Sequence, residues 1–488
     1  MNDLSIELKT DTGKCMYQQI YEYIRNEIRT GKLQRNEKLP STRSLAEYLQ
    51  VARNTVDSAY GQLLAEGYII ARPCKGYFVC GTDDLLNLSW TEEGYRETKP
   101  GGSGKKEERD NRVMDHGIKC PEIKYDFSPH AISMKSFPFS TWKRITREIL
   151  VDANTEMFAL GDPRGDQELR TTISRYLHSA RGVNCEPDQV IIGAGNDFLL
   201  MLLEKILGRH VPIAMENPTY RRAYQVFRSF AYEIKTIPMD QSGIRVKELE
   251  RSGARVAYVM PSHQYPTGIV MPIGRRLELL KWAEKEEDRF LIEDDYDSEF
   301  RYKGKPIPSL QASDRSGKVI YIGTFSKSIA PAIRVGYMVL PVTLLEKYKE
   351  NCGFYASTVS RIDQRILNEF IKDGYFERYL NKMRKTYREK HDFLMDQLKD
   401  FTKEFSVSGE NAGLHVLLTS KRKVPEKALL EAAAKEGIRL YGLSDALVGA
   451  PETAEEDGHT ILLGYGALSR EEIREGMERL KEAWREFL

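Results

Sequence analysis

Tyr17, Ile20, Ile24 and Ile28 recur at the three-to-four-residue spacing of a helix with one apolar face, and Gly31 is placed to end it. A short second helix is predicted after Ser41, a suitable N-cap, with Leu45, Ala46 and Leu49 turned inward. A third follows Val51, burying Val56, Ala59, Tyr60, Leu63 and Leu64 and stopping at Gly67. Residues 68–71 and 77–79 then read as a hairpin turning through 73–76. The pattern breaks over 82–122, where KPGGSGKKEERDNR is polar, glycine-bearing and dense in mixed charge, the composition of a flexible linker. From residue 125 helical patterns alternate with short runs apolar on both faces: VIIGAG (190–195), VPIAME (211–216), VAYVMP (256–261), FLIEDDY (290–296), VIYIGTF (319–325) and VGYMVLP (335–341). Such runs predict a buried, mostly parallel α/β sheet. Beyond about residue 345 amphipathic helices dominate, with strands near 414–418 and 461–465, a smaller α+β domain. The expected division is 1–81, a linker over 82–122, and 123–488, itself split near 345.

Composition changes this picture little. The 488 residues carry 73 Lys and Arg against 72 Asp and Glu, a net charge of +1, so nothing overall points to a polyanion or a membrane surface. No run is long enough for a membrane span and the polar N-terminus does not read as a signal peptide. Six scattered cysteines (15, 74, 80, 120, 185 and 352) lack metal-ligand spacing and lead us to expect a cytosolic chain with free thiols.

The second and third predicted helices form a helix-turn-helix, and the hairpin its wing. Arg53, Asn54 and Thr55 occupy the first turn of the recognition helix, where side chains reach base edges or phosphate. Arg43 is suited to positioning on the backbone and Lys75 to contact from the wing tip. Through residue 80 there are 11 Lys and Arg against 9 Asp and Glu, a weak excess for a lone DNA binder that two copies in a dimer would ease. The stretch LPSTRSLAEYLQVARNTVDSAYGQLLAEGYIIARPCKGYFV resembles the winged-helix domain of GntR-type bacterial regulators. A small helical domain for protein contacts is the other reading.

The segment 324–337, TFSKSIAPAIRVGY, places Lys327 among hydroxyls and seven residues before Arg334. This suits a lysine holding pyridoxal phosphate (PLP) as a Schiff base, with Thr324, Ser326 and Arg334 at the phosphate. Asp294, 33 residues earlier, can keep the pyridine nitrogen protonated, and Tyr296 can bond the phenolic oxygen. Ala194, Gly195 and Asn196 lie between a strand and a helix, where amides meet phosphate. Tyr220 and Tyr265 are candidates to line the ring, with Arg222 beside Tyr220. Each signal alone is ordinary; together they resemble fold-type I PLP enzymes of the class I aminotransferase branch, from residue 125 to the end. The winged helix, linker and this region in one chain resemble the MocR/GabR group of GntR-family regulators. That resemblance implies a head-to-tail homodimer that senses PLP or a PLP–amine adduct, with at most a transaminase-like half-reaction. It also implies that Asp445, in YGLSDA, stands where an arginine grips the ligand carboxylate, and that Leu160 stands where relatives carry tyrosine. An active class I aminotransferase with an accessory DNA-binding domain, and a cofactor-free dimerisation scaffold, remain as alternatives.

Overall fold

The structure is a computed structural model describing residues 6, 8, 15–66, 68–72, 75–80, 122–150, 155–301, 307–410, 412–449 and 458–488. The expected linker, except residue 122, lies outside them, as do Gly67, Pro73, Cys74 and Cys120. The chain divides into two compact units, Met1–Val113 and Met114–Leu488.

In the first unit α1 (Met16–Arg29), α2 (Thr42–Leu49) and α3 (Arg53–Ala65) precede a hairpin of β1 (Ile69–Arg72) and β2 (Gly76–Val79). Ile20, Ile24, Ile28, Leu45, Val56, Ala59, Tyr60 and Leu63 close its core. Burying each large apolar side chain contributes roughly 1.5–3 kcal/mol. Ser41 Oγ accepts from the Ser44 amide at 3.1 Å and starts α2 as its N-cap. Two expected core residues differ. Leu64 is 42 % exposed, because it follows Leu63 by about 100° around the helix axis and so leaves the buried stripe. Tyr17, in the first turn of α1, is 39 % exposed. The hairpin pairs Ile69 with Val79 and Arg72 with Gly76, leaving Lys75 exposed in the turn.

The second unit begins with β3 (Tyr125–Asp126), α4 (Phe139–Ile149) and α5 (Gln167–Arg181). A large sheet follows from β4 (Val190–Gly193), β5 (Ile213–Asn217), β6 (Ile234–Asp240), β7 (Gly243–Ile244), β8 (Val256–Val259), β9 (Phe290–Asp295), β10 (Val319–Thr324) and β11 (Gly336–Val339). Their order is β4-β11-β10-β9-β8-β5-β6-β7. β6, β5, β8, β9 and β10 run parallel; β11 opposes both of its neighbours and β7 opposes β6. Of the helices between these strands, α6 (Asn196–Leu207) follows β4 and α7 (Arg221–Ser229) follows β5.

The sheet is covered on both faces, and β9 shows how its sequence meets that demand. Phe290 and Ile292 pack into one apolar cluster while Leu291 packs into another. Three acids continue the strand, all buried. Glu293 accepts from the amides of Leu310 and Gln311 at 2.7 and 2.9 Å. Asp295 accepts from Arg181 Nε at 2.8 Å and from the Tyr321 hydroxyl at 2.5 Å. Asp294, on the opposite face, points to the cavity described below.

A second sheet holds β12 (Phe405–Ser408), β13 (His415–Ser420), β15 (Tyr441–Gly442) and β16 (Thr460–Gly464) in the antiparallel order β12-β13-β16-β15. β14 (Ile438–Arg439) instead pairs in parallel with β3. The start of this unit is therefore bonded to its C-terminal part, and Phe127 extends the link through bonds with Arg439 and Gly464.

Candidate functional site

A cavity of about 560 Å³ opens where β4, β5, β8, β9 and β10 end. The carboxyl ends of parallel strands are where open α/β sheets bind ligands. Each strand is followed within one turn or loop by a lining residue: Asn196 after β4, Tyr220 after β5, Tyr265 after β8, Tyr296 after β9, and Ser326 and Lys327 after β10. Asp294, Thr324, Arg334, Arg222 and Asp445 also line it.

Asp294 accepts from the Tyr258 hydroxyl and, at 3.2 Å, from Asn196 Nδ2. Burial pushes its pKa up to about 7, aided by the charges of Asp295 and Asp297 and opposed by the two donors. Such a carboxyl gains from a cationic partner facing it. Lys327 Nζ donates to the Pro129 carbonyl at 3.0 Å and lies 5.7 Å from the centre of the Tyr296 ring. Burial lowers its pKa, which favours the neutral, nucleophilic amine.

At the start of α6, Gly195 has φ +84°, and a Cβ there would lie 2.5 Å from Arg334 Nη2. The glycine thus lets the guanidinium close on the helix N-terminus. Arg334 Nη2 donates to the Ala194 carbonyl at 3.3 Å and to Asp197 Oδ2 at 3.2 Å, and Arg222 Nη2 reaches the same oxygen at 2.5 Å. Ser326 donates its amide to Thr324 Oγ1 at 3.1 Å, while its own hydroxyl is buried without a partner among the described residues. Two arginines, an unpaired hydroxyl and the first-turn amides of a helix form an anion cradle.

Three expected residues stand elsewhere. Ala194 and Gly195 do not line the cavity: the Ala194 amide donates to Thr358 Oγ1 at 3.1 Å and that of Gly195 to the Gly193 carbonyl at 2.7 Å. They back Arg334, and the amide donors at the cradle are those of the first turn of α6. Leu160 is 92 % exposed on the surface, away from the cavity lining.

The cavity also holds residues that sequence reading missed. Asp197 was legible as an acid in the first turn of a helix, the position favoured by the macrodipole. His130, Arg221 and Tyr441 carried no local signal. His130 Nε2 lies 3.1 Å from the Tyr265 hydroxyl, and its ring is 4.9 Å from that of Tyr265 and 6.0 Å from that of Tyr220. Burial holds its pKa down at about 3, so it faces the cavity as a neutral imidazole.

In the first unit Arg53 and Asn54 stand exposed on the opening turn of α3, with Thr55 half-buried beside them. Arg53 Nε lies 3.5 Å from Asp57, and Arg43 Nε 3.1 Å from Glu47; both are exposed pairs that phosphate can displace.

Two family models match the chain: "Bacterial regulatory proteins, gntR family" over residues 16–79, and "Aminotransferase class I and II" over 133–453. The uncharacterized HTH-type transcriptional regulator YdeL of Bacillus subtilis is 39 % identical over 96 % of this chain and 97 % of its own. The probable rhizopine catabolism regulatory protein MocR of Rhizobium meliloti is 33 % identical over 98 % of this chain and 95 % of its own. The chain belongs to the MocR group of GntR-family regulators. Its second unit has the aminotransferase fold. It resembles the kynurenine aminotransferase of Pyrococcus horikoshii, solved with PMP, at a TM-score of 0.66 and 26 % identity over 75 % of this chain and 92 % of that one.

The fold of this MocR-group chain implies PLP, and the residues present fit it. An amine nucleophile, a buried carboxyl with raised proton affinity and an anion cradle with an unsatisfied hydroxyl occupy one cavity. Tyr296 fits less simply, because its hydroxyl lies 3.1 Å from His263 Nδ1.

Proposed function

We propose that this DNA-binding transcriptional regulator senses PLP, or an amine captured by PLP, through its aminotransferase-like unit. The observation that carries the reading is the placement of Lys327, Asp294 and the Arg334–Asp197 cradle around one cavity, in a chain that also holds a winged helix. Lys327 would attach the cofactor, Asp294 would hold its pyridine nitrogen protonated, and Arg334, Arg222, Ser326 and the first turn of α6 would take its phosphate. Bound there, PLP supplies an electrophilic carbon that captures amines. Ligand occupancy acts on operator binding only through different affinity for two arrangements of the protein. In a head-to-tail homodimer in the cytoplasm, that difference is read as the spacing of two winged helices along operator DNA. Exposed Phe158, Leu160, Phe354 and Tyr355 support a second copy seated on that surface. Their two segments are linked by Arg361, which donates to the Ala159 carbonyl, and Thr358 holds Ala194.

Asp445 lines the cavity as an exposed carboxylate, and Arg221 reaches its carbonyl at 3.4 Å. A carboxylate on the ligand would meet Asp445 unfavourably, which favours amines lacking one. The test is a spectral titration of the PLP-loaded protein with amines, run beside operator binding. The reading predicts that amines which change the cofactor spectrum also change operator affinity. Spectral change with unaltered DNA binding would count against sensing. Steady multiple-turnover transamination would favour the aminotransferase alternative, which the grouping of Lys327, Asp294 and Arg334 in one cavity supports.

A further inference from the structure

The corner between β4 and α6 is held from outside the cavity. Beyond Gly193, whose pairing with Gly336 ends the ladder of β4 and β11, the backbone turns into the helix. There the Ala194 amide donates to Thr358 Oγ1 at 3.1 Å, and the Ala194 carbonyl accepts from Arg334 Nη2 at 3.3 Å. One residue is thus gripped on two sides, by a hydroxyl that does not line the cavity and by a guanidinium that does. Asn196, two residues on, opens α6 and joins the cavity wall. Displacing this corner moves the first turn of α6 and the seat of Arg334 together.

Thr358 is itself placed by a buried side chain. It lies just before the helix Arg361–Lys372, on which Gln364 is 0 % exposed. Gln364 Nε2 donates to Ser357 Oγ at 3.2 Å and to the Val359 carbonyl at 2.9 Å, the residues on either side of Thr358. Its Oε1 accepts from the Asp166 amide at 2.7 Å. Gly165, at φ +96°, leaves room for this reach, since a Cβ there would lie 2.9 Å from Gln364 Oε1. A buried amide bonded at both ends holds one geometry, because a shift would strand a donor or acceptor away from water. Val359 adds an apolar anchor in the core.

We propose that Thr358 is a positioning residue for the anion cradle, that Gln364 holds it there, and that the two make the cavity select PLP over unphosphorylated pyridoxal. The inference rests on reading the cradle as the seat of the PLP phosphate. Neither residue lines the cavity, so each acts through Ala194 and Arg334. Thr358 is exposed, and water can take its place at the Ala194 amide. The effect of losing its hydroxyl is therefore that of one neutral hydrogen bond, roughly a three- to tenfold change in affinity.

The experiment uses the full-length protein freed of cofactor. It is titrated spectrally with PLP and with pyridoxal, which carries the same ring and aldehyde without the phosphate. Inorganic phosphate is titrated in parallel and followed by phosphorus NMR. Thr358→Val is expected to raise the Kd for PLP and for inorganic phosphate roughly three- to tenfold and to leave that for pyridoxal unchanged. Thr358→Ser, which keeps the acceptor, should restore the wild-type values. Gln364→Met should reproduce the phosphate-selective loss, and wild-type affinities in that variant would remove Gln364 from the proposal. If Gln364→Met does not fold, the Thr358 pair carries the test. An unchanged Kd for PLP in Thr358→Val, or an equal loss for PLP and pyridoxal, overturns the proposal. A wild type that binds phosphate but not PLP, with Thr358→Val weakening the phosphate, would refute the proposed function and leave the positioning role standing. A wild type that binds neither would overturn both.

Discussion

Lys327, Asp294 and Arg334 all line the cavity, and the sequence singles them out because their surroundings are local: hydroxyls and an arginine near the lysine, and acids ending an apolar strand. His130 is not singled out, because its place in the cavity comes from contacts across large sequence separations. Two predictions belong at this scale. Lys327→Ala should abolish the absorbance band of bound PLP. It should also remove the stabilisation that ligand binding gives, about 2.7 kcal/mol at a hundredfold excess over Kd, read as lost PLP-dependent Tm. The second concerns Asp294, whose pKa of about 7 stands above the ordinary value of 3.8. Between those two values the folded protein binds more protons than the unfolded one, so this group's contribution to stability falls as pH rises through the window. In cofactor-free protein, the Tm of Asp294→Asn should therefore gain on wild type from pH 4 to pH 7. A difference in Tm that does not change with pH would contradict the raised pKa.

Among elements, the two-sided apolar strands and the helices of the first unit were readable from periodicity alone. β6 was not: its residues are largely half-buried and include Pro238, so it lacks the continuous apolar run of its neighbours. The turn from β4 into α6 was found, but its amides were misassigned, since Ala194 and Gly195 spend theirs inside the protein. What Gly195 contributes is room. Gly195→Ala would force Arg334 out of the cradle and strain a positive φ, and should raise the Kd for PLP at least tenfold in equilibrium titration. In the first unit, Ile24 is fully buried, and Ile24→Ala should cost about 2–5 kcal/mol in chemical denaturation. Arg53→Ala on α3 should leave folding intact and reduce the salt dependence of operator binding by about one unit of slope. An unchanged slope would show that Arg53 does not meet phosphate.

At the scale of the whole molecule, the division into a winged helix and an aminotransferase-like unit was legible because a polar, charge-dense stretch over 82–122 interrupts the apolar pattern between them. The join of β3 to β14 was not, since two-residue strands leave no periodic signal. Neither unit alone accounts for regulation: the first offers exposed donors for DNA, the second a cavity whose residues fit PLP. The central claim is that occupancy at Lys327 is coupled to the operator. It is tested most directly by footprinting operator DNA with wild type and Lys327→Ala, each without PLP, with PLP, and with PLP plus an amine that changes the bound cofactor's spectrum. Footprint or affinity should change with these conditions in wild type and stay constant in Lys327→Ala. Identical footprints and affinities for wild type in all three conditions would contradict it.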